Sequence, residues 1–211
     1  IADEQTKTSE WSCYGRDAGG LRHSPLDQIN RENVATLEVA WTFHTGDLEK
    51  LADARAGRKS AFEATPLMVA GRLYFSTPTG RVFALDAASG EESWRFDPEI
   101  DLSHGYSEFT SRGVSTWVDV NVPRGEPGHR LSYLATIDAR LFCLDAETGS
   151  LCEEFGDKGV VNLAGGIDVR RPGEYQVTSP PAVIGELVIV GSAIGDNGRF
   201  DEPAGVVRAF D

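Results

Sequence analysis

The sequence predicts an all-β protein, a β-propeller built from four-stranded blades. Three observations support this prediction: an internal repeat, hairpins centred on glycine, and a near absence of helical periodicity. About four short strands per unit, joined by tight turns and repeated along the chain, are typical of propeller blades. A β-sandwich would show no such internal copying.

The repeat is clearest at three residue pairs, Leu-Asp or Phe-Asp, which end at Asp86, Asp145 and Asp211. The first two pairs open the related turns "DAASG" and "DAETG", whose glycines tolerate a positive φ angle. Strand-like segments precede each pair, and two of them, "MVAGRLYF" and "VIGELVIV", form hairpin patterns around a glycine. Each unit therefore contains about four strands.

We treat residues 1–211 as one partial propeller domain. Its parts are an amino-terminal segment, 1–47, and blade-like repeats around 62–98, 130–157 and 176–211. One short helical turn is expected within residues 30–41, with Asn30 as its cap.

The number of repeats is too small for a closed ring. Units of about 60 residues supply roughly three and a half blades, whereas closed propellers have about four to eight. The chain also stops at Asp211, the residue that should open the next turn. We therefore expect a piece of a longer polypeptide, the alternative being a ring completed by other chains. Unclosed sheet edges would favour self-association.

The composition is that of a globular protein, with 40% hydrophobic and 25% charged residues. A net charge of −13 argues against nucleic acid as a partner and against an anionic membrane surface. No apolar run approaches the roughly 18 residues of a membrane-spanning helix. Residues 1–4 show no secretory signal, which is also true of a secreted protein after cleavage.

Two common classes of site have no support in the sequence. The four histidines are scattered and have no cysteine neighbours, so zinc is not expected. No Walker loop is present, and no Gly-x-Gly-x-x-Gly motif opens a helix, so nucleotide cofactors are not expected either.

Three cysteines leave at least one unpaired. Cys143 and Cys152 flank the turn "LDAETGSL", and counting inward from both places them opposite each other on a hairpin. A cross-strand disulfide is therefore geometrically allowed in an oxidising compartment, and two ordinary half-buried thiols are the alternative. Cys13 is interpreted as a small hydrophobic residue.

The first segment carries a long and specific pattern. Residues 11–41 contain W-x-x-Y-G-R-D-x-x-G-x-R-x-S-P-L-x-Q-I-N-x-x-N-V-x-x-L-x-x-A-W. This segment resembles the amino-terminal part of the pyrroloquinoline quinone (PQQ)-dependent dehydrogenases, eight-bladed quinoproteins that oxidise alcohols or sugars. Residues 86–94 resemble the family's tryptophan-docking repeat, whereas the copy at 145–155 has no tryptophan. "TSRGVS" and "GDNGR" are most similar to the glucose-dehydrogenase-like branch.

The resemblance implies that PQQ, a flat quinone with three carboxylates, binds near the propeller axis beside a divalent cation. Ca²⁺, or Mg²⁺, would take hard oxygen ligands. Asp196 follows Thr178 by 18 residues, the interval at which the family has its metal-binding acid, and Asn197 is expected to assist. From the sequence alone, Asp196 and Asn197 would be read as a turn.

The remaining site residues also come from the resemblance. Arg112 matches an arginine that contacts both a quinone oxygen and a cofactor carboxylate, and it would assist hydride arrival. Glu63 matches a glutamate that contacts the cofactor ring. The residues expected to line the ring are Thr178, Ser192, Ala193 and Gly195. Without the family match, Arg112 and Glu63 would be read as exposed loop residues.

The chain departs from the alcohol-oxidising relatives ahead of Arg112. Those enzymes have two adjacent cysteines whose disulfide covers one face of the cofactor, and this chain has "GYSEFTSRG" instead. The sugar-oxidising branch uses a side chain four residues before the arginine, which is Glu108 here. Because a carboxylate is a poor neighbour for a carboxylated quinone, Tyr106 or Phe109 is an alternative cover, and the sequence leaves this open.

The resemblance implies a dehydrogenase for a sugar, polyol or alcohol. An aspartate base would remove the hydroxyl proton while a hydride passes to the quinone, polarised by Ca²⁺ and Arg112. In the family, the base and several other site residues lie at positions beyond those that these 211 residues cover. This chain alone is therefore expected to be inactive.

The expected partners are a small hydroxylated substrate and a cytochrome or membrane quinone that accepts the electrons. The expected location is periplasmic or extracellular, with membrane association of a full-length protein left open. The alternative function is a non-catalytic propeller that serves as a protein-binding scaffold.

Overall fold

The computed structural model describes residues 10–52, 59–195 and 200–211. Its first sheet is antiparallel and follows the chain order, with neighbouring strands joined by short turns. The four strands are β1 Leu67–Val69, β2 Arg72–Ser76, β3 Val82–Asp86 and β4 Glu92–Phe96.

The second sheet repeats this order. Its strands are β5 Ser115–Val118, β6 Arg130–Ala135, β7 Arg140–Asp145 and β8 Val160–Asn162. The first strand of this sheet, β5, lies before residue 130, where the sequence repeat was expected to begin. A connection containing two Gly-Pro-rich turns separates β5 from β6, so the second unit does not show its first strand as an adjacent hairpin in the sequence.

The third repeat forms two smaller sheets. Its strands are β9 Tyr175–Gln176, β10 Ala182–Ile184, β11 Leu187–Val190, β12 Ala193–Ile194 and β13 Arg208–Phe210. One sheet has the order β10-β11-β13, and β12 pairs separately with β9. The pair β9–β12 places the residues around 178 beside those around 192.

Helical structure within the described residues is limited to a 3-10 turn at Val34–Thr36 and a short helix, α1, at Asp47–Leu51. The expected turn within residues 30–41 is therefore present. Its N-cap is Asn33, so the assignment of Asn30 as cap was wrong; the Asn30 side chain instead accepts a hydrogen bond from the Glu32 N–H. None of the described helices has the length and apolar character needed to cross a membrane.

The repeated Asp-x-x-[Ser/Thr]-Gly turns have the same hydrogen bonds in both complete sheets. One carboxylate oxygen of Asp86 accepts hydrogen bonds from the N–H groups of Ala88 and Ser89, at 3.0 and 2.8 Å. Asp145 binds its own turn in the same way, including the N–H of Thr148 at 2.9 Å. The aspartate is thus required because its side chain closes the turn at the end of the third strand.

A tryptophan packs across each of these turns. The ring of Trp94, on β4, lies so close to Gly149 in the next sheet that a Cβ there would be 2.6 Å from it. The Trp94 indole N–H donates to the Ala146 carbonyl at 3.0 Å. Trp41 contacts Gly90 of the first sheet in the same manner. Neighbouring units are therefore joined by an aromatic ring that requires glycine beneath it.

The two largest cores lie between successive sheets rather than within one. The first combines side chains of β1–β4 with Val114, Leu134, Phe142, Leu144 and Ala146 of the second unit. The second combines β6 and β7 with Tyr175, Val177, Val188 and Val190 of the third. The sheets are thus stacked face to face, and the segments that precede the first strands of the three units meet at one end of the stack.

Candidate cofactor-binding site

Three expected site residues occupy matching positions in three successive units. Glu63 lies four residues before β1, Arg112 three residues before β5, and Thr178 four residues before β10. The first strands of the second and third units, β5 and β10, contact each other directly. The three side chains therefore enter the structure at equivalent places, where neighbouring units meet.

Arg112 connects the other two residues. Its Nε lies 3.0 Å from a carboxylate oxygen of Glu63, and its Nη1 donates to the Thr178 hydroxyl at 2.5 Å. Glu63 lies 49 residues before Arg112 in the sequence, and Thr178 lies 66 residues after it. The fork of the guanidinium is what allows one side chain to bind two partners at a fixed angle.

Backbone contacts hold the same three segments together. The Arg112 N–H donates to the Thr178 carbonyl at 2.8 Å, and the Arg112 carbonyl accepts from the Thr65 N–H at 3.0 Å. The next residue, Gly113, has φ +141°, and a Cβ there would lie 3.2 Å from the Thr65 carbonyl oxygen. Glycine after Arg112 thus allows the close approach of the first two units.

The site combines fixed charge with partial exposure. The side chains of Arg112 and Glu63 are 32% and 42% exposed, whereas Thr178 is 6% exposed. The buried Thr178 hydroxyl orients the Arg112 guanidinium, whose remaining N–H donors can reach a ligand. Such an arrangement suits a ligand that carries carboxylates or carbonyl oxygens.

Ser192, Ala193 and Gly195 lie beside this group through the pairing of β12 with β9. Ala193 is directly opposite Gln176, two residues before Thr178. The Ser192 hydroxyl donates to the Val206 carbonyl at 3.2 Å and accepts from the Val206 N–H at 3.1 Å. The Gly195 N–H donates to the Glu174 carbonyl at 2.9 Å. These polar groups fix the local backbone in this structure.

The proposed metal ligands, Asp196 and Asn197, lie outside the described residues. Within the part of the chain that the structure describes, no group of three or more His, Cys, Asp or Glu side chains could hold a metal ion. The assignment of Asp196 and Asn197 as ligands therefore remains a prediction.

Gln176 has a role at the site that the sequence analysis missed. It is 1% exposed, and its side-chain oxygen accepts from both the N–H and the hydroxyl of Ser107, at 2.9 and 2.5 Å. Its amide donates to the Glu108 carbonyl at 3.1 Å. Gln176 thus fixes the segment that leads to Arg112. Its partners lie 69 and 68 residues away in the chain, so the sequence around residue 176 carries no signal of this role.

The two aromatic residues considered as a cofactor cover are buried in a core of their own. Tyr106 and Phe109 are 1% and 3% exposed and meet edge to face at 5.3 Å, in a cluster with Leu51, Ile100 and Ile137. Burial raises the pKa of Tyr106 to about 12. Their rings stabilise the base of the loop that carries Arg112.

Comparison with known proteins gives a consistent result along the chain. Residues 11–211 match the family model described as PQQ: Glucose/ethanol/alcohol dehydrogenase, beta-propeller domain. The chain is 39% identical to the quinoprotein glucose dehydrogenase of Escherichia coli (strain K12), over 96% of this chain and 26% of that protein. It is 37% identical to the quinate/shikimate dehydrogenase (quinone) of Acinetobacter baylyi, over 99% of this chain and 27% of that protein.

Solved structures agree. The chain matches the quinohemoprotein alcohol dehydrogenase of Comamonas testosteroni with a TM-score of 0.72 and 29% identity, covering 96% of this chain and 25% of that one. The predicted β-propeller is thereby confirmed as a partial, unclosed ring, and the chain spans about a quarter of the length of these relatives. The chain belongs to the β-propeller domain family of the PQQ-dependent glucose, ethanol and alcohol dehydrogenases.

Proposed function

We infer that this chain forms part of the cofactor-binding site of a PQQ-dependent dehydrogenase that oxidises a sugar, polyol or alcohol. The observation that carries the inference is the connected group Glu63–Arg112–Thr178, assembled from three successive units. Relatives with named activities on glucose, glycerol and quinate or shikimate support the substrate class.

The chemistry of this group fits PQQ. A tricarboxylated quinone needs a fixed cation and hydroxyl or N–H donors, and the partly exposed Arg112 and the buried Thr178 supply both types. Glu63 binds one edge of the guanidinium and so orients its other edge toward the ligand. When bound, the cofactor accepts the hydride equivalent from the CH–OH carbon.

Arg112 is proposed as the catalytic residue of this chain. A guanidinium remains charged at every physiological pH, so it can stabilise negative charge on a ligand oxygen without losing its proton. Its two contacts, to Glu63 and Thr178, limit its rotation before the ligand arrives. Preorganised charge of this kind lowers a barrier more than charge that must reorient.

Asp196 and Asn197 are proposed to bind Ca²⁺, or Mg²⁺, next to the cofactor. Carboxylate and amide oxygens are the ligands that these cations prefer. Thr178, Ser192, Ala193 and Gly195 would lie along the ring, where short side chains permit close approach. The general base and further ligands are proposed to come from residues outside the 211 in this chain.

The remaining parts of the proposal concern the whole protein. The substrate would be a small hydroxylated molecule, and a cytochrome or membrane quinone would accept the electrons. A periplasmic or extracellular location would agree with a cofactor-dependent oxidation of external sugars or alcohols.

The test uses the full-length protein that contains this chain. PQQ and Ca²⁺ should quench its intrinsic fluorescence, and the loaded protein should reduce an artificial dye in the presence of a sugar or alcohol. Arg112→Leu should lose both signals, whereas Arg124→Leu, in the exposed loop between β5 and β6, should keep them. Failure of the full-length protein to bind PQQ and to reduce the dye would contradict this proposal and favour the scaffold.

A further inference from the structure

The second unit differs from the first in the pair formed by its third strand and the segment that follows the turn. In the first unit Ala84 of β3 lies directly opposite Trp94 of β4. In the second unit the equivalent position on β7 is Cys143, two residues before the turn aspartate in both cases. The residue opposite Cys143 is Cys152, whose N–H donates to the Cys143 carbonyl at 2.9 Å.

The cysteine pair lies where the chain leaves the sheet and returns to it. Leu144 and Leu151 form a β-bridge, so the outer segment runs beside β7 up to Cys152. The chain then turns away, and the Cys143 N–H bonds to the Gly159 carbonyl, at 2.9 Å, on the returning segment. Strand β8 resumes immediately afterwards, at Val160.

The excursion between these points, residues 153–158, has few side-chain anchors. Its backbone is held by hydrogen bonds from the Phe155 N–H to the Cys152 carbonyl and from the Gly159 N–H to the Phe155 carbonyl, and Asp157 and Val160 form a β-bridge. Most of its side chains are exposed. The Phe155 ring, which contacts Tyr133 at 5.6 Å, is its main apolar contact. A disulfide between Cys143 and Cys152 would close the base of the excursion.

The geometry of the pair suits a disulfide. Residues directly opposite on antiparallel strands have Cα atoms about 4.5–5.5 Å apart, which lies within the roughly 4.4–6.8 Å range of disulfides. The Cys152 side chain packs against the buried core cluster that contains Cys143. Cys13, by contrast, lies in the amino-terminal segment and is not part of this pair.

The two thiols also differ in reactivity. Cys143 is fully buried, and its pKa is raised by its hydrogen bond to Cys152 and by burial. Cys152 is partly exposed, and the hydrogen bond from Cys143 lowers the pKa of its thiol. Cys152 is therefore the thiol that a soluble oxidant would meet first as a thiolate.

We propose that Cys143 and Cys152 form a structural disulfide that closes the base of the excursion at residues 153–158 in the second unit. The oxidant is a disulfide. The Cys152 thiolate attacks one of its sulfurs and releases a thiolate; the Cys143 sulfur then displaces the second thiol from the mixed disulfide, and the Cys143 proton passes to a released thiolate. The two cysteines lose two electrons, and the oxidant is reduced to two thiols.

Peptide mapping of the full-length protein tests this directly. Both cysteines lie in one tryptic peptide, residues 141–158, between Arg140 and Lys158. After treatment of the folded protein with excess oxidised glutathione and then iodoacetamide, this peptide should be two hydrogen atoms lighter and unalkylated. Reduction before alkylation should add two carbamidomethyl groups.

Two other outcomes would overturn the proposal. One is a peptide alkylated at both cysteines without prior reduction; the other is a stable glutathione adduct on Cys152 with Cys143 still free. Cys152→Ser, at the partly exposed position, should leave Cys143 as an unpaired thiol, whereas Cys13→Ser should change nothing in this peptide.

A second measurement distinguishes a disulfide that stabilises the second unit from one that has no effect on stability. Reductant should lower the thermal midpoint of the wild-type protein by about 1–2 °C. The Cys152→Ser variant should show a smaller decrease, because it lacks the Cys143–Cys152 bond that the reductant breaks. Equal decreases in both proteins would contradict a stabilising role.

Discussion

Arg112 and Thr178 are joined by two hydrogen bonds although 66 residues separate them in the chain. One runs from the Arg112 N–H to the Thr178 carbonyl, at 2.8 Å, and the other from the guanidinium to the Thr178 hydroxyl, at 2.5 Å. The backbone bond fixes where the two segments meet, and the side-chain bond fixes the direction of the charge. The site is therefore built by the junction between the second and third units.

Removal of the Thr178 hydroxyl should weaken PQQ binding. Thr178→Val keeps the shape of the side chain but leaves the guanidinium of Arg112 without its buried acceptor. Hydrogen bonds to charged groups contribute about 1.5–3 kcal/mol, so the Kd for PQQ should rise about tenfold or more. Fluorescence titration measures this change.

Thr116→Val is the matched control for that variant. The Thr116 hydroxyl donates to the Ser12 carbonyl at 3.2 Å, on β5 and away from Arg112. Its loss should leave the Kd for PQQ unchanged. Equal affinities of the two variants would remove Thr178 from the proposed site.

Glu63 and Arg112 should act as one unit in cofactor binding. Arg112→Lys keeps the charge but loses the fork that reaches Glu63 and Thr178 together, and Glu63→Gln keeps the shape but loses the ion pair. Each change should weaken PQQ binding, and the double variant should be less impaired than the sum of the two. A double-mutant cycle measures this coupling, which we expect to be about 0.5–3 kcal/mol. Strict additivity would mean that the contact has no role in binding.

Asp196 should determine the requirement for a divalent cation. Asp196→Ala should raise the Ca²⁺ concentration needed for PQQ binding by at least about tenfold, because a carboxylate ligand is lost. Removal of Ca²⁺ with a chelator should release PQQ from the wild-type protein. Calcium titrations at fixed PQQ give both results.

Glu186→Gln serves as the control for Asp196, since it removes one carboxylate from an exposed hairpin turn of the same unit. Its calcium dependence should match that of the wild-type protein. If Asp196→Ala behaves like Glu186→Gln, the cation is bound elsewhere.

The glycine beneath Trp94 should be far less tolerant of substitution than a glycine in an open turn. Gly149 and Gly71 have similar φ angles, +75° and +81°, but only Gly149 has an indole ring where a Cβ would lie. Gly71→Ala should cost about 1–2 kcal/mol of unfolding free energy through backbone strain alone. Gly149→Ala should cost about 1–3 kcal/mol more, because the ring must move. Urea unfolding distinguishes the two, and equal costs would show that the ring yields freely.

Local signals explain what could be predicted from the sequence. The turns at Asp86 and Asp145 depend on hydrogen bonds of the aspartate and on a glycine within a few consecutive residues. Their structure can therefore be predicted from the repeat. The site residues Glu63, Arg112 and Thr178 could be proposed only through the family resemblance, because each alone is an ordinary loop residue. Their mutual contacts confirm that they are neighbours, whereas their roles in binding remain predictions.

Contacts between distant segments could not be predicted. Gln176 supports the loop before Arg112 through residues almost 70 positions away, and nothing in its own neighbourhood indicates that role. The third unit also divides into two small sheets, because β12 pairs with β9 instead of extending β11. Such pairings depend on how the units stack, which a single sequence does not display.

The ion pair between Asp47 and Arg81 should contribute far more to stability than an exposed pair. Both side chains are buried, at 6% and 7% exposure, and Asp47 also accepts hydrogen bonds from the N–H and hydroxyl of Thr79, at 3.1 and 2.9 Å. Asp47→Asn should therefore cost about 3–5 kcal/mol of unfolding free energy, because it leaves the Arg81 charge buried without compensation. Glu92→Gln, which breaks the exposed pair with Arg95, should cost less than about 1 kcal/mol. Urea unfolding of both variants measures the difference; similar costs would mean that water or another group already neutralises Arg81.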